Sequence, residues 1–253
     1  MPREKPLSRK KVSPAPALEA SRPIRSSSSA QFAGAKRRKR VAPLGPEETF
    51  EVFARFRAAV PEPLGELEFL DPFTLLVAVV LSAQATDVSV NKATRALFPI
   101  AGAPDAMIAF GEENLREAIK TIGLFRTKAK NVIALSRALI DRFGGEVPRS
   151  REALESLPGV GRKTANVVLN TAFGAPTIAV DTHVFRVANR LPLAIADSPL
   201  EVELALERIV PPEFKRHAHH WLILHGRYVC KARRPECERC LVNDLCRWPE
   251  KTV

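Results

Sequence analysis

Leu157 to Asp181, LPGVGRKTANVVLNTAFGAPTIAVD, is the stretch whose reading decides the fold. Ser150 suits the start of a short helix that Leu157 closes, Pro158 and Gly159 stop it, and Gly161 permits the turn into a second helix running to about Phe173. The result is a helix, a tight hairpin and a helix. With glycine at 159 and 161, no side chain shields the amides of the hairpin or of the next helical turn, so both positions can face an anion such as a phosphate. Lys163 sits in that same turn. An ammonium is disfavoured at the positive end of a helix, and burial would disfavour it further, which makes Lys163 a candidate nucleophilic amine. Asp181 follows the apolar TIAV and precedes the helical THVFRVANR, so it can cap that helix and face the same cleft. Taken singly, a lysine on a helix is a solvated charge and an aspartate before one is only a cap.

Outward from this stretch the periodicity is helical. Pro46 fits a first-turn position, with Glu47 and Glu48 at the positive end and Phe50, Phe53, Phe56 and Val60 on one face before Pro61 stops the helix. Asp71 and Pro72 introduce FTLLVAVVLSAQ, which is apolar nearly all round and therefore predicts the central helix of a bundle. Further helices are expected from Asp87, from Pro104, over Glu112–Lys120 and over Arg126–Phe143, the last with Val132, Leu135, Leu139, Ile140 and Phe143 inward. Beyond Asp181 helical patterns recur at 182–190, 199–210 and 214–225, and no alternating strand pattern interrupts them. The fold class is all-α.

The formal charge of +11 is unevenly spread: residues 1–46 hold twelve Lys or Arg against Glu4 and Glu19, so the remainder is nearly neutral. Residues 1–45, rich in Pro, Ser, Ala, Lys and Arg, predict a disordered basic tail, read first as a solvated arm and otherwise as a transit or nuclear signal. No signal-type apolar run opens the chain, and LLVAVVL is far too short to span a membrane. A monomer inside the cell, in the cytoplasm or nucleoid if the source is bacterial, is the expectation.

Cys230, Cys237, Cys240 and Cys246 give C-x6-C-x2-C-x5-C, four soft thiolate donors in one loop. Zinc is the alternative to a cluster, although structural zinc sites usually pair two C-x2-C knuckles and this loop has one. Lys231, Arg233 and Arg234, between the first two cysteines, could grip a phosphate backbone, while Glu236 subtracts from that patch. His217, His219, His220 and His225 read as packed or surface residues, because four cysteines already complete a site.

LPGVGRKTANVVLN followed by VDTH, together with LLVAVVLSAQATDVSVNKAT, IKTIGL, HHWLILHGRY and the terminal cysteines, resembles the helix-hairpin-helix DNA glycosylases of the endonuclease III family over about Glu47–Trp248. The resemblance implies a two-lobed fold: a six-helix domain over residues 65–175, and an iron-sulfur domain made of 46–64 and 176–253. It implies a four-iron four-sulfur (4Fe-4S) cluster on the four cysteines. It implies Lys163 attacking the sugar C1′, Asp181 assisting base departure and proton transfer, and Gln84 and Leu124 entering the duplex around the extruded base. The activity it implies is that of a bifunctional DNA glycosylase and abasic-site (AP) lyase of base excision repair, acting on duplex DNA with oxidised or damaged pyrimidines or abasic sites. The competing enzyme, an adenine mismatch glycosylase, lacks this lysine; the competing non-enzyme is a non-catalytic helix-hairpin-helix DNA-binding module.

Overall fold

A computed structural model describes residues 41–252, and among them the chain forms α-helices and no strand. In order they are α1 (Pro46–Ala59), α2 (Pro72–Ser82), α3 (Asp87–Ala101), α4 (Pro104–Phe110), α5 (Glu112–Ala118) and α6 (Phe125–Phe143). There follow α7 (Arg151–Glu155), α8 (Arg162–Phe173), α9 (Thr182–Arg190), α10 (Pro199–Ile209) and α11 (Pro212–Tyr228). A 3₁₀ turn, Cys237–Arg239, lies in the cysteine loop.

Local chemistry sets the starts. Asp71 accepts the Thr74 amide at 2.8 Å with Pro72 in the first turn of α2, Ser198 and Glu201 form a reciprocal capping box at α10, and Ser150 caps α7. Every residue of α2 from Phe73 to Leu81 is buried, as its all-round apolarity predicts. Removing a Leu or Val side chain from water contributes about 1.5–3 kcal/mol. Helix α2 is therefore the energetic centre of the first core.

The buried apolar residues fall into two cores. The first gathers α2 to α8, with Leu75, Leu97, Met107, Leu115, Leu135, Leu154 and Val168. It has seven helical segments, one of them the single-turn α7 that opens the hairpin. The second gathers α1, α9, α10 and α11 around Phe53, Val184, Val187, Leu206, Phe214 and Leu222. Its centre is aromatic: Phe53 and Phe214 stack with centroids 5.9 Å apart, and the Trp221 indole donates to the Val60 carbonyl at 2.7 Å. Arg162 at the start of α8 donates to Glu203 of α10 at 2.8 Å, tying the two cores together.

Three expectations change. Ile140 faces outward, because α6 buries Val132, Leu135, Ser136 and Leu139 and leaves position 140 on the opposite edge. The helix begun at Pro72 ends at Ser82, two residues before Gln84. The tail ends earlier than residue 45: Leu44 is buried in the second core and donates its amide to Pro192 O at 2.9 Å, while Arg247 holds the Ala42 and Pro43 carbonyls. Residues 1–40, the rest of the expected basic tail, lie outside the described residues.

α9 and α11 cross at Gly226, where an added Cβ would stand 2.9 Å from His183 Cβ and 3.2 Å from the His183 carbonyl. The carbonyl is backbone and the Cβ is fixed directly to it, so neither can swing away. Gly226→Ala is expected to lower stability by about 1–2 kcal/mol, because overpacking outweighs the helix-propensity gain of about 1 kcal/mol. Thermal unfolding checks it, as a fall in Tm of several degrees.

Candidate active site and cluster loop

The hairpin positions its own amides. Gly159 takes φ +78°, left-handed backbone that suits glycine, and an added Cβ there would meet Asn131 of α6 at 2.9 Å. Gly161, assigned the turn from sequence, instead has ordinary extended φ, −101°, and serves as the N-cap of α8 with open space in front of it. Both glycines leave the first turn of α8 uncovered.

Two adjacent cations in that turn have different fates. Arg162 donates to Glu203, whose side chain is 5% exposed. Lys163 is exposed and makes no hydrogen bond or ion pair among the described residues. The burial expected for its amine is therefore not supplied by the protein alone.

Asp181 is the N-cap of α9. Its Oδ1 accepts the His183 and Val184 amides, both at 2.8 Å, while Oδ2 accepts no bond among the described residues. One oxygen holds the helix and the other is available. Lys163 and Asp181 converge electrostatically on His219, whose Nδ1 lies 2.8 Å from the Ala179 carbonyl. Burial holds the His219 imidazole far below its usual value, with His220 and then Lys163 pushing the same way and Asp181 opposing. Burial likewise takes His220 down to about 4.

Gln84 and Leu124 stand on neighbouring loops. They are the only non-glycine residues with positive φ among the described residues, +54° and +59°. Both are exposed, Leu124 to 59%. Their loops are neighbours, since an added Cβ on Gly123 would lie 3.6 Å from the Gln84 carbonyl. An apolar side chain held out in water on left-handed backbone costs energy on both counts.

The four cysteines line one cavity together with Val187, Leu191, His225, Val242 and Trp248. Burial pushes the Cys240 thiol up to about 11 and raises Cys246 as well, so thiolates form here only against a cation. No three His, Cys, Asp or Glu side chains among the described residues are grouped to hold a single metal ion. Four thiols facing one largely apolar cavity fit a cluster.

Helix α9 organises this loop, a role missed in the sequence although Arg186 and Arg190 are spaced one helical turn apart. Arg186 donates to the Cys230 and Gly226 carbonyls at 3.0 and 2.8 Å. Arg190 donates to the Lys231 and Ala232 carbonyls at 2.7 and 2.8 Å, lies 3.7 Å from Cys230 Sγ, and stacks on Trp248 at 4.0 Å. His225, read as merely packed, sits 3.6 Å from Cys240 Sγ. Lys231 is paired with Glu236, the acidic departure noted above, whereas Arg233 and Arg234 are exposed and have no partner among the described residues.

A helix-hairpin-helix with an unpaired lysine, a capping aspartate at the same cleft and a four-cysteine loop define a class. Residues 77–212 match the model of the HhH-GPD superfamily of base excision DNA repair proteins, and residues 230–246 match the iron-sulfur binding domain of endonuclease III. Endonuclease III of Escherichia coli K12 is 58% identical over 201 residues, 79% of this chain and 95% of the relative. That of Treponema pallidum is 60% identical over 195 residues, 77% and 92% respectively. A structure described as a trapped endonuclease III-DNA covalent intermediate superposes with a TM-score of 0.76 at 48% identity, covering 81% of this chain and 96% of the other. The chain belongs to the endonuclease III family of base excision repair DNA glycosylases and AP lyases, and its cofactor is a 4Fe-4S cluster. Among the described residues no helix is long and apolar enough to cross a membrane.

Two measurements follow from this geometry. Purified protein should be brown with about four irons per chain, and Cys237→Ser should lower iron content and soluble yield together. His219 and His220 are held neutral in the folded chain, while in the unfolded chain they take up protons below about pH 6.5. Stability is thus present above that pH and lost as pH falls, by up to about 1.4 kcal/mol per pH unit for each imidazole. Urea unfolding between pH 7.5 and 5.5 should show the decline, and His220→Phe should flatten it.

Proposed function

We propose that Lys163 and Asp181 carry a bifunctional reaction on duplex DNA, with oxidised or ring-damaged pyrimidines as the substrates and abasic sites as a second entry point. What supports this most is the unpaired, exposed amine of Lys163 in the first turn of α8, on the same buried histidine as Asp181. The extruded nucleotide presents C1′ to Lys163 Nζ. As the C1′–N bond breaks, positive charge grows on the sugar, and the Asp181 carboxylate stabilises it through the oxygen not used for capping. Lys163 Nζ bonds to C1′ as the base leaves with the bonding pair and one of the amine's protons, and the second proton passes to O4′ as the C1′–O4′ bond breaks, opening the sugar to an imine. The imine acidifies the C2′ proton, whose removal expels the 3′ phosphate by β-elimination.

The other residues position the substrate. Gln84 and Leu124, held out on adjacent strained loops, fill the duplex where the nucleotide has left. The amides of the Gly159–Gly161 hairpin receive a phosphate, and Arg233 and Arg234 add backbone contacts from the loop. The four cysteines hold the 4Fe-4S cluster, which when bound supplies the iron-sulfur bonds that close that loop. We also propose that the two cores are two lobes, the first over 65–175 and the second formed by α1 with the chain from 176 onward.

Lys163→Gln removes the nucleophile at similar size. Borohydride should trap the native protein covalently on abasic DNA and leave Lys163→Gln untrapped; trapping at the native rate would sink the assignment. Asp181→Asn retains an oxygen acceptor for the α9 cap, so it should bind damaged DNA and melt near the native temperature. Its single-turnover excision should be slower by about 100-fold or more.

A further inference from the structure

Helix α9 puts one cation inside the cysteine loop. Arg190 is 9% exposed, and its guanidinium makes no ion pair among the described residues. Nη1 and Nη2 donate to the Lys231 and Ala232 carbonyls, while Nε is buried with no hydrogen-bond partner. Carbonyl oxygens satisfy donors but leave a buried charge uncompensated, which is unfavourable. The carboxylate that lines the same cavity, Glu236, is held by Lys231 and Arg239. What the guanidinium does reach is sulfur: Nη1 lies 3.7 Å from Cys230 Sγ, and the Trp248 ring, 4.0 Å from Cζ, fixes its plane. The other charged and titratable groups at the loop are placed differently. Arg186, one turn back, is bonded to the Cys230 and Gly226 carbonyls. His225, 3.6 Å from Cys240 Sγ, is held neutral by burial, at about 4. Lys251 acts electrostatically on Cys246 and donates to the Asn243 carbonyl at 2.7 Å.

We propose that Arg190 is the counter-charge of the bound cluster, favouring both its retention and its reduced form. The proposal rests on the four cysteines holding the cluster. A four-iron four-sulfur core on four thiolates is an anion in each of its oxidation states, because the ligands' negative charge exceeds the positive charge of the core. That anion supplies the charge Arg190 otherwise lacks. Reduction adds one more negative charge, and a cation at a ligand sulfur stabilises that state more than the oxidised one. An N–H donated to the same sulfur acts in the same direction. Because Arg190 is buried, solvent and salt screen the interaction little. A clamp on the loop carbonyls alone would need donors there but no charge, and no approach to Cys230 Sγ.

The test is protein-film voltammetry, without DNA, of native holoprotein, Arg190→Gln and Arg190→Lys. Gln keeps an amide donor for the loop carbonyls and removes the charge, whereas Lys keeps the charge and gives up the paired carbonyl bonds and the planar stack. In Arg190→Gln the preference for the reduced form should fall about 10-fold or more, a one-electron potential lower by about 59 mV or more. Its iron should also pass to a chelator faster. Arg190→Lys should keep a potential close to the native one even where its iron is lost faster. Native potentials in both variants overturn the proposal and mark Arg190 as a clamp on the loop; equal shifts in both overturn it as well. Pulsed electron paramagnetic resonance of cryoreduced native protein grown on nitrogen-labelled arginine covers the case in which Arg190→Gln takes up no cluster. A hyperfine coupling from the label is expected in the native protein and should vanish in Arg190→Lys; its absence from the first, or its persistence in the second, overturns the proposal. Failure of the cluster assignment shows separately, as native protein without iron.

Discussion

Helix α9 carries two obligations at once. At its N-terminus Asp181 spends one oxygen on the His183 and Val184 amides, and near its C-terminus Arg186 and Arg190 hold the carbonyls of the cysteine loop. Nine residues of rigid helix therefore fix the distance from the cleft carboxylate to the loop. The helix is itself held by the close crossing with α11 at Gly226, where no Cβ fits. A shift of α9 would move the carboxylate, the loop cations and the cluster ligands together. The cluster loop is thus an extension of the site's frame.

On the opposite side of the cleft the frame is strained where it meets solvent. Gln84 follows the fully buried α2, and Leu124 precedes α6, so each left-handed residue is anchored by a helix that cannot relax without opening the first core. Backbone strain of this kind costs about 1–3 kcal/mol per residue and persists only where surrounding packing enforces it. Here the packing of α2 and α6 enforces it, and the outcome is a polar and an apolar side chain held out side by side.

Charge is allotted just as selectively. Outside the basic N-terminal segment the chain is nearly neutral, so no broad positive field draws it to nucleic acid. Instead Arg162 is neutralised by Glu203, Arg55 by Asp244 and Lys231 by Glu236, while Lys163, Arg233 and Arg234 are left free among the described residues. Lys163 borders the cleft, and Arg233 and Arg234 stand in the cysteine loop.

The sequence by itself determined what depends on near neighbours along the chain: the caps at Asp71, Ser150 and Ser198, the all-round apolar α2, the glycine hairpin before Lys163, and four cysteines close enough to close one loop. Caps, turns and periodicity are rules of a few residues, so they read directly from the chain. Tertiary structure alone decided which glycine takes the left-handed turn, that Ile140 faces water, and that Leu44 packs while the segment before it was expected only as a tail. It also decided which cations are free and which are paired, because Arg162 finds Glu203 forty-one positions away and Arg227 finds Asp87 at one hundred and forty. Such pairings follow from how helix faces meet, and no spacing along the chain encodes them.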